Sequence, residues 1–311
     1  MKTNISLILI LCLLLGACKN ENASSQSKSE TPQDTIKAIK MPAIPQMMTA
    51  PEQRADFLAK HYWDNVNFAD TNYIHHPEVT EQAWADYCDL LNHVPLETAQ
   101  QAMRNVIDRT NVDKKVFTYI TDLADKYLYD PNSPMRNEEF YIPVLEAMIA
   151  SPVLNETEKI RPQARLKLAQ KNRIGTKALN FTYTLASGAQ GSLYQLKAEY
   201  LLLFINNPGC QACTETIEGL KNAPIINQLL QEKKLVLLSI YPDEELDEWK
   251  KHLSEFPNEW INGYDKKFTI KEEQVYDLKA IPTLYLLDKD KTVLLKDATA
   301  PAIEAYLMQH Q

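Results

Sequence analysis

"LLLFINNPGCQAC", residues 201–213, decides how the second half of this chain folds. The apolar run Leu201–Ile205 is short enough for a strand buried on both faces. Pro208-Gly209 then breaks the chain, and a helix is predicted to begin near Cys210. Cys210 and Cys213 are thereby placed about one turn apart at a helix start. Backbone N–H groups there lack helical partners, and the positive end of the helix dipole favours a thiolate.

The pattern extends outward on both sides. "LNFTYTLASG" (179–188) alternates like a half-buried strand, and "KLVLLSIY" (234–241) reads as a second buried strand after a crossover helix. "DEELDEWKKHL" (243–253) reads as a charged helix. "PTLYLLD" (282–288) and "TVLLKD" (292–297) flank the turn Lys289-Asp290, and a last helix follows Pro301. Strands alternating with helices, then a hairpin and a helix, describe an α/β domain over 173–311 with a mixed central sheet flanked by helices.

Residues 51–172 show helical spacing instead and are expected to form a separate α-helical domain. Val112, Val116, Phe117, Ile120, Leu123, Ala124, Tyr127 and Leu128 make one stripe over 112–129, and Trp84, Tyr87, Cys88 and Leu91 make another. Further helices are expected at 51–65, 96–108, 137–149 and 156–171, with Asn155 and Glu158 at the spacing of a capping box. Cys88, on an apolar face, reads as a small hydrophobe that keeps its proton. His75-His76 has no second set of ligands at metal spacing and reads as packing and a helix terminus.

The chain opens MKTN, runs apolar from Ile5 to Leu15, and ends that run at Leu15-Gly16-Ala17-Cys18. One lysine, an apolar stretch of about eleven residues and small residues before a cysteine make a secretory signal. The stretch is shorter than the roughly 20 residues a membrane span needs. Leu15–Cys18 resembles the lipobox of bacterial lipoproteins. That resemblance implies removal of residues 1–17 as a signal peptide and acylation of Cys18, which would hold the chain to a lipid bilayer without crossing it. Residues 18–50, rich in Ser, Asn, Gln, Lys, Thr and Pro, read as a flexible tether. The net charge of −8 argues against nucleic acid as a partner. Of the five cysteines, Cys12 leaves with the signal and Cys18 takes lipid, which is too few remaining for a disulfide-scaffolded fold.

With these residues in view, "ALNFTYTLASGAQGSLYQLKAEYLLLFINNPGCQAC" resembles the first strands and active-site turn of TlpA/ResA-like thiol-disulfide oxidoreductases. "YDLKAIPTLYLLDKDKTVLLKDA" (276–298) is similar to the thioredoxin segment that carries Ile-cis-Pro-Thr. The likeness covers roughly 177–311, and the whole layout resembles bacterial lipoproteins in which a helical domain of unknown function precedes a thioredoxin module. It implies Cys210 as nucleophile, Cys213 as resolving thiol and a cis Pro282. It also implies that Ile281, Pro282 and Thr283 hold the substrate chain beside Cys210.

Other readings of the pair are weaker. Zinc would need two more ligands, which no other C-x-x-C or nearby His supplies. Thr214 stands where haem attachment would require His, and Asn207 where a peroxiredoxin would carry Thr. A short structural disulfide stays open beside a redox dithiol. The sequence departs from thioredoxin at Gly209, in the usual place of Trp, and at Phe204, in the usual place of a buried Asp. Glu199 and Glu215 are candidate substitutes for that Asp, Glu215 equally a solvated residue of the first helical turn. Trp260 and Tyr264 are candidates for the substrate groove or for the core.

The expectation is a lipid-anchored enzyme of the bacterial cell envelope, facing the periplasm, that reduces or isomerises disulfides of exported proteins. It would need no cofactor beyond the Cys210–Cys213 dithiol. As a reductase it would need a membrane electron-donor protein, because glutathione is not expected to buffer that space. The alternative is a non-catalytic docking or scaffold lipoprotein built on the same fold.

Overall fold

The computed structural model describes residues 38–310. The expected signal peptide, the Cys18 expected to carry lipid and the first part of the expected tether lie outside the described residues. Among the described residues no helix is long and apolar enough to cross a membrane.

The N-terminal half is helical: α1 (Pro51–His61), α2 (Pro77–Leu91), α3 (Leu96–Arg109), α4 (Lys114–Ala124), α5 (Glu138–Ala150) and α6 (Glu156–Ala169). Helix ends follow local chemistry. Proline opens α1 and α2, where its missing N–H costs nothing. The Asp113 side chain accepts from the N–H groups of Lys115 and Val116 and so starts α4. Val112 is left outside that helix and 66% exposed, so the expected stripe begins at Val116 instead. The Asn155–Glu158 capping box is present at the head of α6. α1 stops at His61, short of the expected 65.

One contiguous core fills this half. Trp84, Tyr87, Cys88 and Leu91 are all buried on α2, and Trp63 meets Tyr87 edge-on at 5.6 Å. Burial pushes the Cys88 thiol pKa up, as suits a small hydrophobe. His75 closes a short 3-10 turn and His76 precedes α2, its Nδ1 3.0 Å from Glu78. Beyond α4 the chain makes one wider π-type turn, Asp125–Tyr129.

The C-terminal half runs β1 (Thr182–Leu185), β2 (Gln190–Ser192), β3 (Tyr200–Ile205), α7 (Gln211–Lys221), α8 (Pro224–Gln231), β4 (Leu235–Tyr241) and α9 (Leu246–His252). It continues with β5 (Ile261–Tyr264), α10 (Thr269–Glu272), β6 (Thr283–Asp288), β7 (Val293–Lys296) and α11 (Ala300–Gln309). The sheet order is β2-β1-β5-β4-β3-β6-β7. β4 lies parallel to β3 and β5, while the other pairs are antiparallel. Side chains alternate across β3, as strand geometry requires. Leu202 and Phe204 pack under α7, α8 and α11, whereas Leu201, Leu203 and Ile205 face the opposite layer with Phe181, Tyr276 and Tyr285. Burial on both faces explains why that run is continuously apolar.

Four expectations change. The segment 179–188 holds a shorter strand and a turn, with Gly188 at φ +86°, leading into the partner strand β2. The crossover is two helices, because Pro224 cannot continue α7. The charged helix begins at Leu246, since Asp243 is drawn aside to Lys271 and Asn207. The last helix starts at Ala300, with the Thr299 hydroxyl accepting from the Ala302 N–H and Pro301 inside its first turn.

The two halves meet through buried charge. Glu138, in the first turn of α5, binds Lys279 at 2.6 Å and also pairs with Lys296, with all three side chains at most 12% exposed. Lys279 Nζ lies 3.2 Å from Asp277 and 4.9 Å from the Tyr129 ring, which the π-type turn brings over it.

Candidate active site

Register assembles the site. Ile205, the last residue of β3, pairs with Thr283, the first residue of β6. The chain leaving β3 therefore enters the cysteine turn beside the chain entering β6. Gly209 takes φ +72°, a left-handed conformation that residues with a Cβ resist. An added Cβ would meet nothing within 4 Å, so the backbone conformation rather than crowding accounts for glycine here.

Cys210 occupies the N-cap of α7 and is partly exposed. Its thiol points at the Ile281 carbonyl oxygen, 3.7 Å away. The Ile281–Pro282 peptide bond is cis. Cys213 lies one turn deeper, 2% exposed. Burial pushes its thiol pKa up to about 12; the Asn207 backbone N–H works the other way, and the neighbouring Cys210 raises it further. Both thiols are free. Thr283 is buried, and its hydroxyl donates to the Ala280 carbonyl at 2.8 Å, which ties down the loop around Pro282. Cys210, Cys213, Ile281, Pro282 and Thr283 thus come together in one place.

Neither candidate substitute for a buried Asp is buried, although Glu215 lines the same cleft as Pro282 and Thr283. Phe204 is fully buried and meets Trp260 edge-on at 6.3 Å. Glu199 and Glu215 are both exposed, and Glu215 accepts from the Gln211 side chain at 2.9 Å. Trp260 is 5% exposed and packs on Phe256 as well, so it belongs to the core. Tyr264 meets the buried Trp249 at a tilt, ring centroids 5.1 Å apart.

Two features escaped the sequence reading. Asn207 donates to Asp243 at 2.8 Å, and Lys271 reaches the same carboxylate at 2.6 Å. Burial works against the charged Asp243, yet its bonds to Lys271 and Asn207 prevail and hold its pKa below the usual value. The other is a cleft of about 430 Å³ beside the dithiol. Ala212 and Thr216 of α7, Pro282 and Thr299 line it on one side, Pro131 and Arg136 of the helical half on the other. Neither carries a local motif, since each joins residues far apart in the chain.

Comparison with known proteins gives the family. Residues 17–172 match a domain of unknown function, DUF5106, and residues 198–293 match a thioredoxin-like family. A thioredoxin-like protein from Bacteroides caccae is 84% identical, over 89% of this chain and 100% of its own, with a TM-score of 0.87. The C-terminal domain of an uncharacterized protein from Bacteroides fragilis is 69% identical over 44% of this chain and 98% of its own, with a TM-score of 0.44. No curated protein matches the sequence. The chain belongs to the thioredoxin-like proteins, and carries a DUF5106 domain ahead of its thioredoxin-like domain.

Proposed function

We propose that this chain is a thiol-disulfide oxidoreductase acting on disulfides of exported proteins. One observation carries the reading: an accessible sulfur at a helix N-terminus, 3.7 Å from the Ile281 carbonyl beside a cis proline, with a second thiol buried one turn deeper.

The Cys210 thiolate attacks one sulfur of a substrate disulfide. A Cys210–substrate bond forms, the substrate S–S bond breaks, and one substrate sulfur leaves as thiolate and takes a proton. Cys213, once deprotonated, attacks the Cys210 sulfur, and the second substrate thiol departs. Two electrons and two protons have then passed to the substrate, and the chain holds a Cys210–Cys213 disulfide. Resetting it takes a dithiol protein as reductant, in this reading a membrane protein that delivers electrons. If the substrate's own free thiol resolves the intermediate instead, the outcome is isomerisation with no net electron flow. A resolving thiol held protonated lengthens the life of the mixed disulfide and leaves time for that reshuffling.

In this reading Cys18 is acylated, and the chain works at the envelope membrane facing the periplasm, with no cofactor and no nucleic-acid partner. A second reading, a docking module without turnover, is favoured by Phe204 standing where a relay carboxylate would be. Cys213→Ser in the native envelope separates the two. The catalytic reading expects exported proteins trapped covalently on Cys210 and released by reductant, and an empty trap would leave the docking module.

A further inference from the structure

We propose that the helical domain supplies one wall of the substrate groove, and that Arg136 on that wall selects an extended polypeptide over a small disulfide. The inference rests on the thiol-disulfide reading above and names the substrate class of that site.

Position is the first ground. Ala212, between the two cysteines, and Pro282, next to the Ile281 carbonyl, both line the cleft, so a chain reacting at Cys210 runs across it. Facing them are Pro131 and Arg136, from the segment between the π-type turn and α5. That segment is held in place by the buried Glu138–Lys279 and Glu138–Lys296 pairs. The wall is therefore fixed to the Pro282 loop rather than swinging past it.

Hydrogen-bonding capacity is the second ground. Arg136 donates one N–H to the Asp297 carbonyl at 2.6 Å. Among the described residues its guanidinium makes no ion pair, which leaves further donors for an occupant of the cleft. Asp297 belongs to the thioredoxin-like half, and its carboxylate Oδ1 is buried out of an occupant's reach, so the donors of Arg136 are what the wall offers. Free guanidinium donors match an extended main chain, which presents a carbonyl at every residue. A simple alkyl disulfide at Cys210 offers no such acceptor.

The test mixes the pre-reduced full chain, in single turnover, with insulin as the polypeptide disulfide and with diethyl disulfide, which has no hydrogen-bonding nitrogen or oxygen, as the small one. The readout is the ratio of the two second-order rate constants. In Arg136→Ala the ratio falls about tenfold, the scale of one lost hydrogen bond to a charged group, and the loss appears in the saturation constant for insulin rather than in the limiting rate. Arg136→Gln, which keeps amide donors, recovers part of the ratio. A merely structural role would slow both reactions alike, and an unchanged ratio overturns the inference while leaving the oxidoreductase reading intact. Failure of the unaltered chain to react with either disulfide overturns both.

Discussion

Replacing Glu138 by alanine probes the junction of the two domains most directly. Its side chain is 12% exposed and sits between Lys279 and Lys296, themselves 7% and 6% exposed. Breaking a buried pair from one side costs about 3–5 kcal/mol, because the remaining charge keeps its desolvation penalty. Part of the support survives here. Lys279 keeps Asp277 at 3.2 Å and the Tyr129 ring at 4.9 Å, and Lys296 keeps the Lys171 carbonyl at 2.8 Å. The expected loss is therefore at the low end, about 3 kcal/mol. Urea unfolding followed by circular dichroism measures it, and Trp63 with Trp84 and Trp249 with Trp260 report the two halves separately by single-tryptophan variants. The pH dependence has a definite sign. Burial acts against the Lys279 ammonium, but Glu138, Asp277 and Asp297 outweigh it and raise its pKa. A raised pKa contributes stability that is present below the unfolded lysine value, about 10.4, and is lost as pH rises through the folded one. In Glu138→Ala the folded value moves down toward the unfolded one, so the alkaline loss is smaller and is complete at lower pH. A loss below about 1 kcal/mol in Glu138→Ala would refute the buried-pair account.

Other consequences can be checked alongside. Trp260→Ala should cost about 3–5 kcal/mol in urea unfolding, as for a buried aromatic; unchanged stability with weaker substrate binding would instead return it to the groove. Gly209→Ala should cost about 1–2 kcal/mol by the same measurement, from its φ of +72° alone. With its pKa at about 12, Cys213 is thiolate in only about one molecule in ten thousand at about pH 8. Iodoacetamide followed by mass spectrometry should label Cys210 in the folded chain and Cys213 only on unfolding. Asp243, with its lowered pKa, should stabilise the fold above the unfolded carboxylate value and lose that contribution as pH falls through the folded one; Asp243→Asn should flatten that acid limb.

Periodic burial made much of this architecture readable in the sequence. β3 and β6 are runs buried on both faces, and α2 carries a stripe at helical spacing, so each announces itself within a few residues. β5 did not, because four residues including Gly263 give too little alternation, and its place is fixed by pairing with β4 and β1. The dithiol and the Ile281–Pro282 segment stood out because each is a compact motif with its own punctuation. Trp260 was ambiguous for the opposite reason. An aromatic residue suits a groove or a core equally well, and only its contact with Phe204, 56 positions away, decides. Arg136 and Asp243 were invisible because their meaning lies in partners on distant elements, Asp297 for one and Asn207 with Lys271 for the other.

Phe204 also has a kinetic consequence for the proposed cycle. By the resemblance to thioredoxin a carboxylate at position 204 would accept the second cysteine's proton, but here that position holds a phenyl ring packed on Trp260. Cys213, buried and shifted to about 12, has only the Asn207 N–H favouring its charged form. The second attack must then draw on a base outside the fold, either hydroxide or the substrate thiolate released in the first step. With hydroxide the decay of a Cys210 mixed disulfide should speed up about tenfold per pH unit through the neutral range, because the thiolate fraction of Cys213 rises by that factor. With the released thiolate the decay should instead follow the pKa of the thiol freed in the first step and level off above it. A mixed disulfide formed by attack on a peptide's internal disulfide, which keeps that freed thiol on the same peptide, and followed by quenched mass spectrometry from about pH 6 to pH 9 tells the two apart. Decay that is fast and independent of pH across that range would mean that Cys213 has a proton acceptor within the fold, and that Phe204 has not closed the route.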